Sequence, residues 1–219
     1  VTTTTTTARA ITLPLGTTPD GQPLSWHLTD EDGRPQHGLI VGQTGSGGST
    51  VLARLATSAR AAGVRSAIIA LDHPLDPVWD QAPWNAARCT DAGDLVHDLD
   101  GLLGQVDPDP AVGLVLVDGA RALRAAPGQW VSLIRRATQL GISIVARVYH
   151  PGLAEFGDDV LRCHLAVHGQ YLALGRVRGT TAAVAADLLP GYTPPERDQL
   201  PGQGVYGHAG TTTAVTVTA

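Results

Sequence analysis

Gly38-Leu39-Ile40-Val41-Gly42-Gln43-Thr44-Gly45-Ser46-Gly47-Gly48-Ser49-Thr50 decides how the rest of this chain is read. Gly38 to Val41 is a short apolar run of the length a buried strand takes. Glycines follow, and over residues 51–62 Leu52, Leu55 and Ala59 recur at helical spacing. A strand that turns through glycines into a helix gathers backbone N–H groups at a helix N-terminus, where they face an anion. Gly42 and Gly47 have the four-residue gap of a phosphate-binding loop, and Ser49 stands where such a loop carries its Mg²⁺-binding hydroxyl. The lysine of that pattern is missing, and Gly48 holds its place. On this reading Gly42, Thr44, Gly45, Ser46, Gly47, Gly48, Ser49 and Thr50 surround the phosphates of a nucleotide.

Around this turn apolar runs alternate with helical patterns, the signature of βαβ units and a largely parallel sheet. Strands are expected at 67–71, 113–117, 142–145 and 166–167. Helices are expected at 95–103, at 129–140 with Gly141 as the cap, and around 180–189. Residues 202–217 read as a C-terminal hairpin turning at 207–210, and the Thr/Val alternation of 213–218 reads as an edge strand. The threonine run Thr2 to Thr7 makes residues 1–10 a flexible lead-in, and 11–219 is then a single α/β domain.

Composition sets the outer limits. The chain has 219 residues, 43% hydrophobic and 16% charged, as a globular domain does, and only 4% aromatic, so its core must be aliphatic. Net charge is −5 with no basic block, which argues against a free-standing nucleic-acid binder but not against a ring whose pore loops touch DNA. All 15 cationic residues are arginine, and the missing initiator Met reads as a processed chain or an excised domain. Cys89 and Cys163 are far apart and have no metal-ligand spacing. No apolar run nears the roughly 18 residues of a membrane span. A cytoplasmic segment without membrane contact is expected, any anchor of a parent protein lying elsewhere.

Residues 37–47 closely resemble the segment by which FtsK/SpoIIIE-family translocases, and the related ATPases of type VII secretion, enter their P-loop. The resemblance runs from about Ile11 to Val217. Residues 67–72 resemble the family's second strand, where an Asp-Pro-Lys turn is replaced by Asp72-His73-Pro74. Leu114-Val115-Leu116-Val117-Asp118 resembles the Walker B strand, 135–142 the helix and strand before the sensor motif, and 200–206 the glycine-rich strand near the domain end. The resemblance implies a RecA-like P-loop fold, with Asp118 and Ser49 as the Mg²⁺ residues.

The departures fall on the chemistry. Gly48 replaces the P-loop lysine, Gly119 follows Asp118 where the family has a water-orienting Glu, and Tyr149 aligns with the Gln that senses the γ-phosphate. Removing one charge-stabilising group from such a site commonly costs about two to three powers of ten in rate. Losing all three leaves no catalytic residue to name. Asp118, Ser49 and the loop amides leave room for weak ATP/Mg²⁺ binding. Arg54, Arg121 or an arginine of a neighbouring subunit are the candidate replacement cations.

Other features carry less. His164 and His168 have i,i+4 spacing, but Leu165-Ala166-Val167 between them reads as strand, which separates them. His150-Pro151 reads as a loop start, Asp107-Pro108-Asp109-Pro110 as an acidic turn, and Trp79, Trp84 and Trp130 as packing residues. The leading expectation is a catalytically degenerate motor domain, a structural, regulatory or cargo-binding module beside other P-loop domains in a ring or tandem array. Two alternatives stand beside it: an active hexameric DNA translocase with DNA in its pore, and a protein-interaction module that binds no nucleotide.

Overall fold

The computed structural model describes residues 10–72, 77–81, 87–104, 112–175, 177–196 and 199–217. The Thr2–Thr7 run, the His73-Pro74 turn, Trp84 and the Asp-Pro repeat at 107–110 lie outside them. Strands β1 (Thr12–Thr17) and β2 (Pro23–His27) precede β3 (Gly38–Gly42) and helix α1 (Gly48–Ala61). Next come β4 (Arg65–Ile69), a 3-10 turn (Pro77–Gln81), β5 (Ala87–Cys89) and α2 (Ala92–Leu103). They lead to β6 (Val112–Asp118), α3 (Ala120–Ala125), α4 (Pro127–Leu140) and β7 (Ser143–Val148). After α5 (Leu153–Phe156), α6 (Asp159–Ala166), β8 (Gln170–Leu174) and α7 (Gly179–Leu188), strands β9 (Gln203–His208) and β10 (Thr211–Thr216) complete the sheet.

Among the described residues the sheet has ten strands in the order β2-β1-β10-β9-β8-β3-β7-β6-β4-β5. It is mixed, not largely parallel as the sequence suggests. The block from β8 to β5 is parallel, while β9, β10, β1 and β2 extend it antiparallel. The cause is the C-terminal hairpin. It turns at Ala209-Gly210, as expected, but lays β9 against β8 and so reverses the strand direction there. The Thr/Val alternation of β10 is therefore not an edge: β10 lies between β9 and β1, and β2 and β5 form the edges.

Side chains alternate across each strand, so the sheet builds a core on both faces. Leu39 and Val41 of β3 join one cluster with Trp130, Leu133 and Leu161, under α4 and α6. Ile40 of β3 joins the other, with Leu52, Leu55 and Ala59 of α1, Leu114 and Leu116 of β6, and Val145 of β7. The helix ends follow local rules: Asp91 caps α2 through Gly93 N–H, and Gly141 stops α4 in the left-handed region at φ 67°. Trp79 and Trp130 are buried, and Trp130 Nε1–H donates to Ala122 O at 2.9 Å.

Residues 166–167 are not a strand. Asp158 accepts from Val160 and Leu161 N–H and starts α6, which buries Leu161, Leu165 and Ala166. The strand of this region is β8, four residues beyond Ala166. Its Gln170 is wholly buried. Gln170 Oε1 accepts from His27 N–H at 3.0 Å and from Tyr206 Oη–H at 2.7 Å, joining β2 and β9 to the parallel block. Because α6 is helical, the rings of His164 and His168 come within 5.6 Å of each other, where the sequence reading had separated them.

His37 sits just before β3. Its Nδ1 accepts Ile144 N–H at 3.2 Å, and its own carbonyl accepts Gln170 N–H. Burial, reinforced by nearby His164, pushes the His37 imidazole down to about 4. A histidine held neutral by the fold is protonated more readily in the unfolded chain, so its contribution is present at neutral pH and lost as pH falls from about 6.5 towards 4. The full effect is about 3 kcal/mol. Urea titrations at pH 7 and pH 5 should show this loss, and His37→Asn, which keeps an acceptor near the Nδ1 position, should flatten it. An identical slope in wild type and variant would rule out a buried neutral His37.

Candidate functional site

β3 delivers the glycine loop to the C-terminal end of the parallel block, the end at which open α/β sheets bind ligands. Gly45 and Gly47 take positive φ (81° and 96°), which glycine allows without strain. Gly47 is the cap of α1 and has no side chain to bond the first-turn amides, and no acidic residue lies in that turn. The helix therefore presents its positive end to the loop. Thr44, Gly45 and Thr50 are exposed, Gly47 and Ser49 half-buried, and Gly42, Ser46 and Gly48 buried. The hairpin braces this loop from outside, because Gly202 N–H donates to Ser46 O at 3.0 Å. Beside it, Gln43, Thr44, Gly175, Leu200 and Pro201 help line an open hollow of about 330 Å³.

Beneath the loop lies a residue that the sequence reading overlooked. β7 runs between β3 and β6, and its Arg147 is the register partner of Asp118, the last residue of β6. Leu114, Leu116 and Val145 face α1, and strand alternation carries that orientation on to Asp118 and Arg147. Arg147 is 4% exposed and Asp118 fully buried; Arg147 Nη1 donates to Asp118 Oδ1 at 3.1 Å. The guanidinium carbon lies 4.1 Å from the centre of the Tyr149 ring, so the aromatic face covers the charge. A Cβ at Gly48 would sit 2.8 Å from Arg147 Nε and 3.1 Å from its Cγ. The arginine thus fills the space from which a P-loop lysine would grow. A lone arginine in the apolar run Ser143-Ile144-Val145-Ala146-Arg147-Val148 is the signal that could have found it.

Gly119 is constrained in the same way. Its φ is +100°, and a Cβ there would overlap the Asp72 carboxylate. Asp72 follows β4 and accepts Arg121 N–H at 3.1 Å, so it bonds the first turn of α3 from outside the helix. Arg121 itself donates through Nη1 to Leu71 O, and Arg54 of α1 is half-buried. Glu155 of α5 lies near Asp72 and Arg124. Burial, more than the opposing pull of Arg124 and His150, raises its carboxyl. His150 Nδ1 accepts Gly152 N–H at 2.9 Å, as a loop-start residue does. The His164–His168 pair is remote in the fold, on α6 and the turn after it, and among the described residues no group of three metal-ligating side chains forms.

The packing gives a prediction of sign. Gly→Ala in a helix normally stabilises by up to about 1 kcal/mol. Gly48→Ala is expected instead to destabilise by about 1–3 kcal/mol, since the new methyl meets a pinned arginine rather than open space. Gly119→Glu should cost a similar ~1–3 kcal/mol through strain at positive φ and the clash with Asp72. Urea midpoints measure both. A stabilised Gly48→Ala would show that Arg147 is not fixed beneath the loop.

No family model matches the sequence, and no curated protein matches it significantly. Solved structures do match. The cytoplasmic domain of the type VII secretion ATPase EccC of Thermomonospora curvata aligns with a TM-score of 0.67 at 16% identity, over 94% of this chain and 28% of that one. The pCW3 conjugation coupling protein TcpA, in its monomer form with ATPγS, aligns at 0.70 and 13% identity, over 96% of this chain and 66% of that one. ATPases 2 and 3 of T. curvata EccC, in complex with a signal sequence peptide, align at 0.65 and 17% identity, over 94% and 40%. This chain thus spans between 28% and 66% of the length of these structures. Among the described residues no helix is long and apolar enough to cross a membrane. The likeness is one of fold: the chain shares the fold of these ATPase structures.

Proposed function

We propose that this chain is a catalytically degenerate FtsK/SpoIIIE-like ATPase domain with the RecA-like core of that family. It serves as a structural, regulatory or cargo-binding module of a translocase or secretion motor. The observation that carries this reading is the buried Arg147–Asp118 pair beneath Gly48. Phosphoanhydride hydrolysis depends on cations that follow the charge onto the leaving oxygens and on a group that orients water. Here the cation in the site is already bound to the Walker B carboxylate. The nearest counterpart of the missing Glu is Asp72, which is bonded to the backbone of α3. An active translocase would need both groups free.

Mg²⁺ fits these residues poorly, because the carboxylate that would help hold it through Asp118 already carries a guanidinium at 3.1 Å. Ser49 retains its hydroxyl, so weak nucleotide contact is still compatible with the loop. A domain of this kind works by contact. EccC offers a precedent: its ATPases 2 and 3 are seen in complex with a signal sequence peptide. By the same logic other P-loop domains, in a ring or a tandem array, are the expected neighbours here, with a protein segment as the expected cargo. DNA in a ring pore belongs to the active reading.

An ATPase assay on the purified chain tests the proposal. The expected result is no turnover above background with Mg²⁺, with or without duplex DNA. Hydrolysis at even ~1 s⁻¹, the low end of ordinary enzymes, would overturn it.

A further inference from the structure

The histidine pair at the end of α6 plays no part in the glycine-loop site. Two histidines four residues apart on a helix share one face, and helical zinc sites are built on such a pair. The sequence reading set these two apart by taking 165–167 for strand. In the fold His164 lies in the last turn of α6, and the N–H groups of Val167 and His168 both donate to Cys163 O, at 2.8 and 3.2 Å. Those bonds carry the helical path on to His168. The two ring centres are 5.6 Å apart, with the ring planes tilted by 58°. Imidazoles sharing one tetrahedral metal at about 2.0–2.1 Å hold their ring centres roughly 5 Å apart. A small rotation of the rings closes the difference.

The surroundings fit an exchangeable ion. Leu165 and Ala166 are buried between the two histidines and anchor this turn, so a ligand finds the pair already in place. His164 is half-buried and His168 exposed, which leaves both within reach of ions in solution. Among the described residues neither imidazole makes a hydrogen bond that would have to be broken first. A permanent structural site has four protein ligands, with further partners fixing the imidazoles from behind. Among the described residues no third metal-ligating side chain joins this pair. Arg135 of α4 and His37 lie near His164, and the arginine, exposed and cationic, opposes a second positive charge.

We infer that His164 and His168 form a two-imidazole site for a borderline divalent transition metal such as Zn²⁺ or Ni²⁺, with water in the remaining positions. Imidazole nitrogen selects these ions over Mg²⁺ and Ca²⁺, which take oxygen ligands. The bound ion ties the last turn of α6 to the turn that enters β8. That strand opens on Gln170, whose side chain holds His27 and Tyr206, so the ion steadies the joint between the parallel block and the antiparallel strands. The site is at the other end of β3 from the glycine loop, because His37 precedes that strand and the loop follows it. The inference therefore does not rest on the degenerate reading.

Calorimetry of the whole chain with NiCl₂, in excess MgCl₂, tests it. One Ni²⁺ should bind per chain, and His168→Ala, at an exposed position, should weaken binding at least about tenfold. Arg135→Gln should tighten it. His208→Ala, which removes one ring of the separate His27–His208 stack, should leave it unchanged. Hydrogen exchange at the amides of residues 167 and 168 should slow when Ni²⁺ is added to the wild type, and not in His168→Ala. No Ni²⁺ heat in the wild type, equal affinity in His168→Ala, binding lost instead in His208→Ala, or exchange at these amides that Ni²⁺ does not change would each overturn the inference.

Discussion

Arg147 and Asp118 face each other across neighbouring parallel strands, and the architecture of the site follows from that pairing. Two strands in register place the side chains together, and the pleat turns both toward α1. A buried charge is tolerated only when it is paired, so the arginine commits the Asp118 carboxylate and the carboxylate commits the arginine. Tyr149 roofs the guanidinium, and Gly48 gives it room. Two of the three positions that the sequence singles out, Gly48 and Tyr149, thus meet in one packed arrangement.

The same logic holds at Gly119. Glycine is required there by a positive φ and by the Asp72 carboxylate lying where its Cβ would be. The space a side chain would take is thus occupied at both glycines, at Gly48 by an arginine from β7 and at Gly119 by an aspartate following β4. Restoring a lysine or a glutamate alone would therefore collide with its replacement before it could act. The glycine loop has kept its frame for a different reason. Its backbone is braced by Gly202 of the C-terminal hairpin and by the helix it opens, and neither depends on the lysine.

Much of this was legible in the sequence where the physics is local. The turn from β3 into α1, the apolar run of β6 and the glycine stop of α4 are written in neighbouring residues. The sheet's antiparallel half was not, because β1 and β2 reach the sheet through pairing with β10, some two hundred residues away along the chain. Residues 166–167 were misread because an apolar triplet looks the same in a strand and in a helix. The better signal was Asp158 followed by Leu161 and Leu165 at helical spacing. Gly48, Gly119 and Tyr149 were singled out by position, but Arg147 and Asp72, which explain the two glycines, lie far from them in sequence. Only the register of β6 and β7 and the approach of the chain after β4 bring them together.

The central claim is that Arg147 and Asp118 form one energetic unit in the place of a catalytic centre. A double-mutant cycle across Arg147→Gln and Asp118→Asn, read by urea denaturation at neutral pH, tests it most directly. Each single substitution should cost about 3–5 kcal/mol by leaving a buried group uncompensated. The double variant should cost markedly less than their sum, because no unpaired charge remains. Losses that add to within about 0.5 kcal/mol would contradict the account.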